Sequence, residues 1–253
     1  MGIGGCVTLR VLSRLLAYPE QPLLDAVPDM IGVLRSEGWF REALRQRLEA
    51  HMHELAARPV TAVQEDYVAL FDRGRALSLH LFEHVHGESR DRGQAMVDLL
   101  EVYREGGLAL DARELPDYLP LMLEYLSTRS REEADELLGD AMGVIVLLGA
   151  RLAERKSGYA VLFEALEAAV GTPAGAEDLK RRAATEGPDE TIEKMDEIWQ
   201  EEQVTFLGNK DPSGSCGASR PLPHDPIAAA GITVRVVDAA EPDTRNAASG
   251  NRR

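Results

Sequence analysis

The apolar residues of this chain recur three and four positions apart, which is the spacing of one face of an α-helix. The clearest run follows Ser130 and Glu133, whose separation is typical of an N-terminal capping box. It continues through Ala134, Leu137, Leu138, Ala141, Ile145, Leu148 and Leu152. Only 5% of the residues are aromatic, and strands prefer aromatic and β-branched residues. The pattern therefore predicts an all-α protein with a single globular multi-helix domain.

Other apolar stripes, bounded by proline and glycine, predict the remaining helices of this domain. They cover residues 7–16, 23–34, 40–55, 60–71, 95–103, 119–126 and 162–170. We expect Pro28 to kink the second of them, and Pro116 to lie in the first turn of the helix that contains Leu119. The short connections between these segments favour one compact bundle over separate units.

The composition changes beyond Leu207. Residues 208–253 contain five prolines, five glycines and no aromatic residue, so this stretch cannot bury a core of its own. We predict a helical domain over residues 1–207 and a flexible, disordered tail over 208–253. The run Ile232 to Val237 is the one strand-like segment in the tail, and Asp189 to Gln203 is predicted to be a last acidic helix before it.

The net charge of −15 limits the partners that this protein can bind. Nucleic acids and anionic membrane surfaces both require a basic face, so neither is expected. A basic peptide or protein would fit, although acidity also serves simply to keep a protein soluble. The longest apolar run, from Ala141 to Ala150, is too short to span a bilayer, and no direct membrane insertion is predicted.

The two cysteines, Cys6 and Cys216, are far apart and form no CxxC pair, which suits a reducing compartment. Arg10 and Arg14 interrupt the apolar residues at the N-terminus, so no signal peptide is expected. These features together predict a cytoplasmic protein.

Candidate chemistry is confined to a histidine-rich segment. His80 and His84 are four positions apart and would share a helix face, with His86, Glu83 or Glu88 as further metal ligands. No HExxH, GxSxG, P-loop or GxGxxG pattern occurs, so a binding role without cofactor or catalysis is favoured over a metal-dependent hydrolase. His51 and His53 are predicted to lie on an exposed helix face.

Four segments resemble the NarJ-type chaperones that assemble respiratory nitrate reductase, within the wider class of TorD/DmsD-like maturation chaperones for molybdoenzymes. They are residues 12–19 (LSRLLAYP), Tyr67 with Leu70 and Phe71, residues 78–93 (SLHLFEHVHGESRDRG) and residues 114–120 (ELPDYLP). The resemblance extends over about residues 7–205, and the 78–93 block is its most specific part. The wider class often has histidine after the acid of the last block, where this chain has Tyr118.

The resemblance implies an all-helical, non-catalytic cytoplasmic protein. It implies that the partner is the catalytic (alpha) subunit of nitrate reductase, bound through its N-terminal peptide. The chaperone would keep that apoenzyme competent for molybdenum cofactor insertion before membrane docking. Two alternatives remain open: a chaperone of the same class for another molybdoenzyme, and a helical metal-dependent hydrolase that uses His80 and His84.

As a hypothesis, an amphipathic peptide helix binds in a groove between the helix of Tyr67 and the segment 78–86. The expected apolar contacts are Tyr67, Leu70, Phe71, Leu79 and Phe82, for which core packing is the equal alternative. The expected polar contacts are Glu83, His84, His86, Asp117 and Tyr118. The two carboxylates would meet basic side chains of the peptide, and the histidines would make its affinity depend on pH near neutrality.

Overall fold

The computed structural model describes residues 6–87, 89–110, 114–186 and 235–236, and these residues form a helical fold. The first helices are α1 (Val7–Leu16), α2 (Gln21–Asp25), α3 (Val27–Glu37), α4 (Glu42–Ala56), α5 (Val60–Phe71), a 3-10 turn (Arg75–Leu77) and α6 (Leu81–His86). They are followed by α7 (Asp91–Glu105), α8 (Leu119–Leu126), α9 (Arg131–Glu154), α10 (Ala160–Val170) and α11 (Ala176–Thr185). The predicted all-α fold class is confirmed.

One short pairing of extended segments accompanies the helices. Leu108–Ala109 (β1) pairs antiparallel with Arg235–Val236 (β2), and Leu108 lies opposite Val236. The predicted strand 232–237 therefore contains a described strand of two residues. The rest of the tail 208–253 and the predicted helix 189–203 lie outside the described residues.

The core is built around the longest helix, α9, which packs against both α10 and α11. A second group forms where α1 packs against α8 and α3. Fully buried leucines connect the two groups into one cluster: Leu12, Leu16, Leu119, Leu123, Leu138, Leu148, Leu152 and Leu162. In the described ranges, no helix combines the length and the apolar character that crossing a lipid bilayer requires.

The N-terminus of α9 has the capping box that its sequence predicts. The Ser130 hydroxyl accepts a hydrogen bond from the Glu133 amide at 3.3 Å, and the Glu133 carboxylate accepts one from the Ser130 amide at 3.0 Å. Further along, Gly149 allows α9 to approach α10 closely, because a Cβ at this position would lie 2.8 Å from the Cβ of Phe163.

Two predictions about proline were wrong. Pro28 does not kink a helix: the chain breaks at Ala26, and Pro28 lies in the first turn of α3. Its missing N–H costs nothing there, because first-turn amides have no partner within the helix. Pro116 precedes α8, whose first-turn proline is Pro120, and the Pro116 carbonyl accepts a hydrogen bond from the Tyr103 hydroxyl at 2.8 Å.

The prediction that His51 is exposed was also wrong, whereas His53 is exposed as expected. His51 is only 7% exposed and packs edge-on against Tyr159, with 5.0 Å between ring centroids. Neither of its ring nitrogens has a hydrogen-bond partner among the described residues. Burial lowers the pKa of this imidazole below its ordinary value. The packing of α4 against α10, which the sequence pattern does not show, brings His51 inside.

Candidate functional site

Two segments far apart in the sequence meet in space, and we call the result the junction: residues 78–86 and 114–118. His80 and Tyr118 form an antiparallel bridge. The Leu119 amide donates to the Leu79 carbonyl at 2.9 Å, and the Leu81 amide donates to the Asp117 carbonyl at 3.1 Å. The backbone of one segment thus fixes the position of the other.

The carboxylate of Asp117 is the polar centre of the junction and is fully buried. One oxygen lies 3.1 Å from Nδ1 of His80, and the other accepts the Phe82 amide at 3.1 Å. A guanidinium nitrogen of Arg92 lies 3.9 Å from the second oxygen. A buried carboxylate is stable only when paired and hydrogen-bonded, and these three groups satisfy it.

The two histidines of the junction have opposite electrostatic environments. The hydrogen bond to Asp117 raises the pKa of His80, so its ring protonates more readily than an ordinary histidine. Burial lowers the pKa of His84, whose Nε2 lies 2.8 Å from the Ser78 carbonyl and therefore donates to it as the neutral ring. One imidazole favours the charged form and the other the neutral form.

A row of aromatic rings connects the core to the junction. Tyr159 and Phe71 pack at 5.2 Å between centroids, and Phe71 packs against Tyr67 at 4.9 Å. The Tyr67 hydroxyl donates to the Leu16 carbonyl at 2.9 Å and lies 3.1 Å from the hydroxyl of Tyr118. The Tyr118 ring in turn lies 5.3 Å from the ring of His80. The junction therefore rests on a base of packed aromatic rings.

The carboxylates around the junction divide into paired and unpaired groups. Glu83 forms an ion pair with Arg92 at 3.2 Å. The carboxylates of Asp72 and Glu114, by contrast, have neither an ion pair nor a hydrogen bond to any described residue. Desolvation and the nearby charge of Glu114 raise the pKa of Asp72, and His80 opposes that rise. Asp72, Glu114 and His80 therefore share one electrostatic environment beside Tyr118.

The predicted site residues fall into two groups. Four are buried and belong to the support of the junction: Tyr67, Phe71, Leu79 and Asp117. Six are half-buried: Leu70, Phe82, Glu83, His84, His86 and Tyr118. The structure brings residues 79–86 together with Asp117 and Tyr118, while Tyr67 and Phe71 lie beneath them. Of the predicted pair of acids, Asp117 is enclosed by its own chain and Glu83 is paired to Arg92.

The family model described as "Nitrate reductase delta subunit" matches residues 38–165. Individual relatives match over most of the chain. The chain is 43% identical over 218 residues to the nitrate reductase molybdenum cofactor assembly chaperone NarJ of Escherichia coli K12, covering 86% of this chain and 91% of the relative. The chain belongs to this family.

Two more distant relatives are also named as probable assembly chaperones. The probable chaperone NarW of Escherichia coli K12 is 40% identical over 211 residues, which are 83% of this chain and 87% of that protein. The probable NarJ of Bacillus subtilis strain 168 is 31% identical over 164 residues, which are 65% and 88% of the two chains. All three relatives are named as assembly chaperones, so the resemblance and the prediction of a non-catalytic protein are confirmed.

The histidines of the junction contact groups of their own chain. His80 bonds to Asp117 and His84 to the Ser78 carbonyl, so each ring has a partner within the chain. Over the described parts of the sequence, no three His, Cys, Asp or Glu side chains form a group that could hold a metal ion. The described residues therefore give the hydrolase alternative no support, and its candidate ligand Glu88 lies outside them.

Sequence reasoning missed three charged residues in and around the junction. Arg92 lies inside the 78–93 block, but its contacts with Glu83 and Asp117 depend on how α7 packs against α6. Asp72 follows α5 as its C-terminal cap, and Glu114 begins the other block. Nothing in their local sequence distinguishes these acids from the other acids of a chain with 43 Asp and Glu residues.

Proposed function

We propose that this protein is a cytoplasmic assembly chaperone for respiratory nitrate reductase. It binds the N-terminal segment of the catalytic (alpha) subunit and keeps the apoenzyme competent for molybdenum cofactor insertion and membrane docking. The observation that carries the proposal is the 43% identity to a named nitrate reductase assembly chaperone over 86% of this chain. Identity at this level over nearly the whole length supports a shared client as well as a shared fold.

The outer face of the junction is the proposed site for the N-terminal peptide. Its half-buried side chains Phe82, Glu83, His84, His86 and Tyr118, together with Leu70 of α5, are the proposed direct contacts. Tyr67, Phe71, Leu79 and Asp117 support these contacts from beneath, because their side chains are buried. A buried and packed base is favourable for peptide recognition, since less side-chain freedom has to be lost on binding.

The chemistry of this face fits a basic and apolar peptide. Asp72 and Glu114 carry negative charge that no described residue of the chain pairs with. Tyr118 is half-buried beside them, and Tyr18 is 40% exposed and packs edge-on against Tyr67. An ammonium or guanidinium group is attracted by the face of a tyrosine ring and by nearby carboxylates. Phe82 and Leu70 provide apolar area for the neighbouring peptide side chains.

Titration calorimetry with a synthetic N-terminal peptide of the nitrate reductase catalytic subunit from the same organism tests this proposal. The double variant Asp72→Asn/Glu114→Gln should bind about fivefold more weakly at low salt, since two exposed charges contribute roughly 1 kcal/mol together. It should also lose most of the salt dependence of the wild type. Glu65→Gln, an exposed acid on α5, is the matched control and should bind as the wild type does.

Two possible results would contradict different parts of the proposal: one contradicts the function and the other contradicts the location of the peptide site. If the wild type binds no such peptide, the proposed function is wrong. If the wild type binds and the double variant keeps both its affinity and its salt dependence, the peptide binds elsewhere on the protein.

A further inference from the structure

A groove with a volume of about 350 Å³ lies along the contact between α9 and α10, and it shares no residue with the junction. Its floor is apolar and consists of Val146, Gly149, Ala150 and Ala153 of α9 and Phe163 of α10. Ala153 is exposed, and Gly149 and Ala150 are half-buried, so solvent reaches the floor near the C-terminal end of α9. An apolar floor of this kind is stabilised when another apolar surface covers it.

The two walls of the groove carry cations that are already paired. Arg47 of α4 forms an ion pair with Glu164 at 2.7 Å, and Lys180 of α11 forms one with Glu167 at 3.2 Å. Glu154 is the remaining charged residue of the lining, and it is exposed. Because both cations of the lining have a carboxylate partner, the groove fits an apolar surface and not an anion.

The chain turns beside this groove where α11 ends. Glu186 follows α11 and accepts two hydrogen bonds from Arg151 of α9, at 2.6 and 2.8 Å. Its backbone is extended, with φ −67° and ψ 135°, and Gly187 and Pro188 come next. The helix cannot continue through Gly187, because a residue before proline avoids the helical conformation. A further helix after so short a connection is expected to lie next to α11 and antiparallel to it.

The predicted acidic helix, residues 189–203, follows this turn and lies outside the described residues. Four of its residues are apolar and share one helix face, at intervals of three, three and one: Ile192, Met195, Ile198 and Trp199. From the first to the last of these, a helix rises about 10 Å, which equals the rise of α9 from Val146 to Ala153 along the floor. The apolar face of the segment and the floor of the groove therefore match in length and in chemistry.

Two other exposed surfaces are poor partners for this segment, because it contains seven acidic residues and one lysine. The junction has the carboxylates of Asp72 and Glu114 beside it, and no described residue pairs with them. The exposed apolar side chains of α7, such as Val97 and Leu100, lie among acids of the same helix, such as Asp98. Like charges that meet across a contact oppose binding, so both surfaces disfavour an acidic helix.

Cations without a carboxylate partner lie instead at the end of α9 that adjoins the turn. Arg155 and Lys156 are exposed there and form no ion pair with any described residue. Asp189 and Glu190 begin the segment only three and four positions after Glu186, which is bonded to the same end of α9. Opposite charges attract, so the start of the segment is stabilised where the groove begins.

We propose that the groove is the docking site for residues 189–203 of the same chain, which bind in it as an amphipathic helix antiparallel to α11. Ile192 contacts the floor near Ala153, and Trp199 contacts it near Val146, while most of the acidic residues face solvent. Residues 204–234 then connect this helix to β2. The inference goes beyond the proposed function and involves no client.

Tryptophan fluorescence tests whether the segment is docked. Trp39→Phe leaves Trp199 as the single tryptophan, since the chain has two. The emission of Trp199 should lie at shorter wavelength, and acrylamide should quench it less, than in a synthetic peptide of residues 187–205. Ala153→Glu places a charged side chain in the groove and should shift the emission to that of the peptide. Ala168→Glu is the matched control without effect, because Ala168 is exposed on α10 and does not line the groove.

A variant of the segment itself makes the test independent of the folding of Ala153→Glu. Ile192→Asp/Met195→Asp removes the apolar face of the predicted helix and leaves the groove unchanged. It should also shift the Trp199 emission to that of the peptide. Melting curves of each variant establish that the domain is folded.

Disulfide formation tests where the segment docks. In a Cys216→Ser background, Ala153→Cys/Ile192→Cys should form an intramolecular disulfide on mild oxidation, since docking brings the two Cα atoms within about 7 Å. Val97→Cys/Ile192→Cys is the matched control and should remain reduced, because Val97 lies on α7. The native Cys6 is buried and stays in both variants.

Four results would overturn the proposal. In the first, Trp199 of the folded protein emits like the synthetic peptide. In the second, its emission is shifted to shorter wavelength but neither Ala153→Glu nor the segment variant changes it. In the third, the disulfide forms with Val97→Cys and not with Ala153→Cys, which would place the segment on α7. In the fourth, the disulfide joins two chains, which would make the occupant a second copy. The proposed function stands after any of them, because peptide binding is measured separately.

Discussion

The α9–α10 pair and the junction show two different ways in which this chain holds its parts together. In the pair, Gly149 lets Phe163 pack against the backbone of a long helix, and the buried side chains of both helices are apolar. At the junction, a helix of six residues is fixed by the buried carboxylate of Asp117, which lies 37 positions along the chain from His80. Apolar packing of long helices tolerates small changes, whereas a buried carboxylate depends on every one of its partners.

The contrast between apolar packing in the core and a buried, hydrogen-bonded carboxylate at the junction is what we expect of a protein with the proposed chaperone function. The helical core needs only to be stable, so it consists of well-packed aliphatic side chains. The junction has to present half-buried aromatic and charged groups at a defined position, and hydrogen bonds fix positions more sharply than apolar contacts do. The aromatic row from Tyr159 to Tyr118 joins the two regions.

The strongest test of the comparison removes one large side chain from each region. Phe163→Ala should lower the free energy of unfolding by about 3–5 kcal/mol, because Phe163 is fully buried and leaves a cavity. Phe82→Ala should lower it by only about 1–2 kcal/mol, since Phe82 is half-buried. Tyr67→Ala and Phe71→Ala should resemble Phe163→Ala. Denaturant unfolding measures all four variants.

Binding of the N-terminal peptide should rank these variants differently. Phe82→Ala should weaken binding by about 1–3 kcal/mol, the range of interface hot spots, while folded Phe163→Ala binds normally. If Phe82→Ala destabilises the protein as much as Phe163→Ala and its folded fraction binds like the wild type, the peptide site is not at the junction.

The second test removes the polar centre of the junction. Asp117→Ala leaves the Phe82 amide and the His80 ring without their partner, and should cost about 3 kcal/mol of stability. Asp117→Asn keeps an acceptor for the amide and should cost less. In both variants the pKa of His80 should fall towards the ordinary histidine value, which NMR titration measures. A His80 pKa that does not move would show that Asp117 is not the cause of its rise.

The third test concerns His51, a buried polar group in the α4–α10 contact. Burial lowers the pKa of His51, so the unfolded chain takes up a proton there that the folded chain does not. The wild type should therefore lose stability as pH falls below about 6.5. His51→Met should lie within about 1 kcal/mol of the wild type at pH 7.5 and become relatively more stable as the pH falls.

His53→Met is the matched control for this pH experiment, because His53 is exposed on the same helix. Its stability should lie close to that of the wild type, because little packing is lost at an exposed position. His80 acts with the opposite sign: its raised pKa gives a contribution that is complete below about pH 6.5 and disappears as pH rises through the folded pKa. Parallel curves for wild type and His51→Met would mean that His51 is not a source of acid sensitivity.

The smallest expected effect concerns the tail. Truncation before Gly208 removes β2, whose pairing with β1 covers only two residues on each side. The loss should be at most about 1 kcal/mol, or about 2–4 °C in melting temperature for a protein of this size. Binding of the N-terminal peptide should not change. A larger drop in melting temperature would show that residues of the tail pack on the helical domain.

Much of the helical core could be predicted from the sequence, because it depends on local periodicity. The capping box of Ser130 and Glu133 and the apolar stripe that follows them identified α9, and Gly106-Gly107 marked the end of α7. Pro28 and Pro116 were misjudged for a related reason. A proline signals that a helix begins or breaks nearby, but the exact residue depends on which backbone amides the folded structure leaves without partners.

The candidate site could be predicted only in part. Its two segments, 78–86 and 114–118, were recognisable by resemblance, whereas their contact through Asp117 and His80 was not. Periodicity also could not tell an apolar side chain that faces the core, such as Leu79 or Phe71, from one that faces a ligand. Both patterns place apolar residues on one side of a helix, and only the neighbours in the folded protein distinguish them.

The sequence by itself determined the helices, the acidic charge and the family of this protein. The helices and the family depend on residue types at fixed spacings, and the charge depends on composition alone. Tertiary structure alone decided which acids are paired, which histidine is buried and which apolar side chains remain exposed on α7. Those properties depend on contacts between residues that are dozens of positions apart. An ionisable side chain takes its pKa and its partners from the groups packed around it, and these are set only when the helices come together.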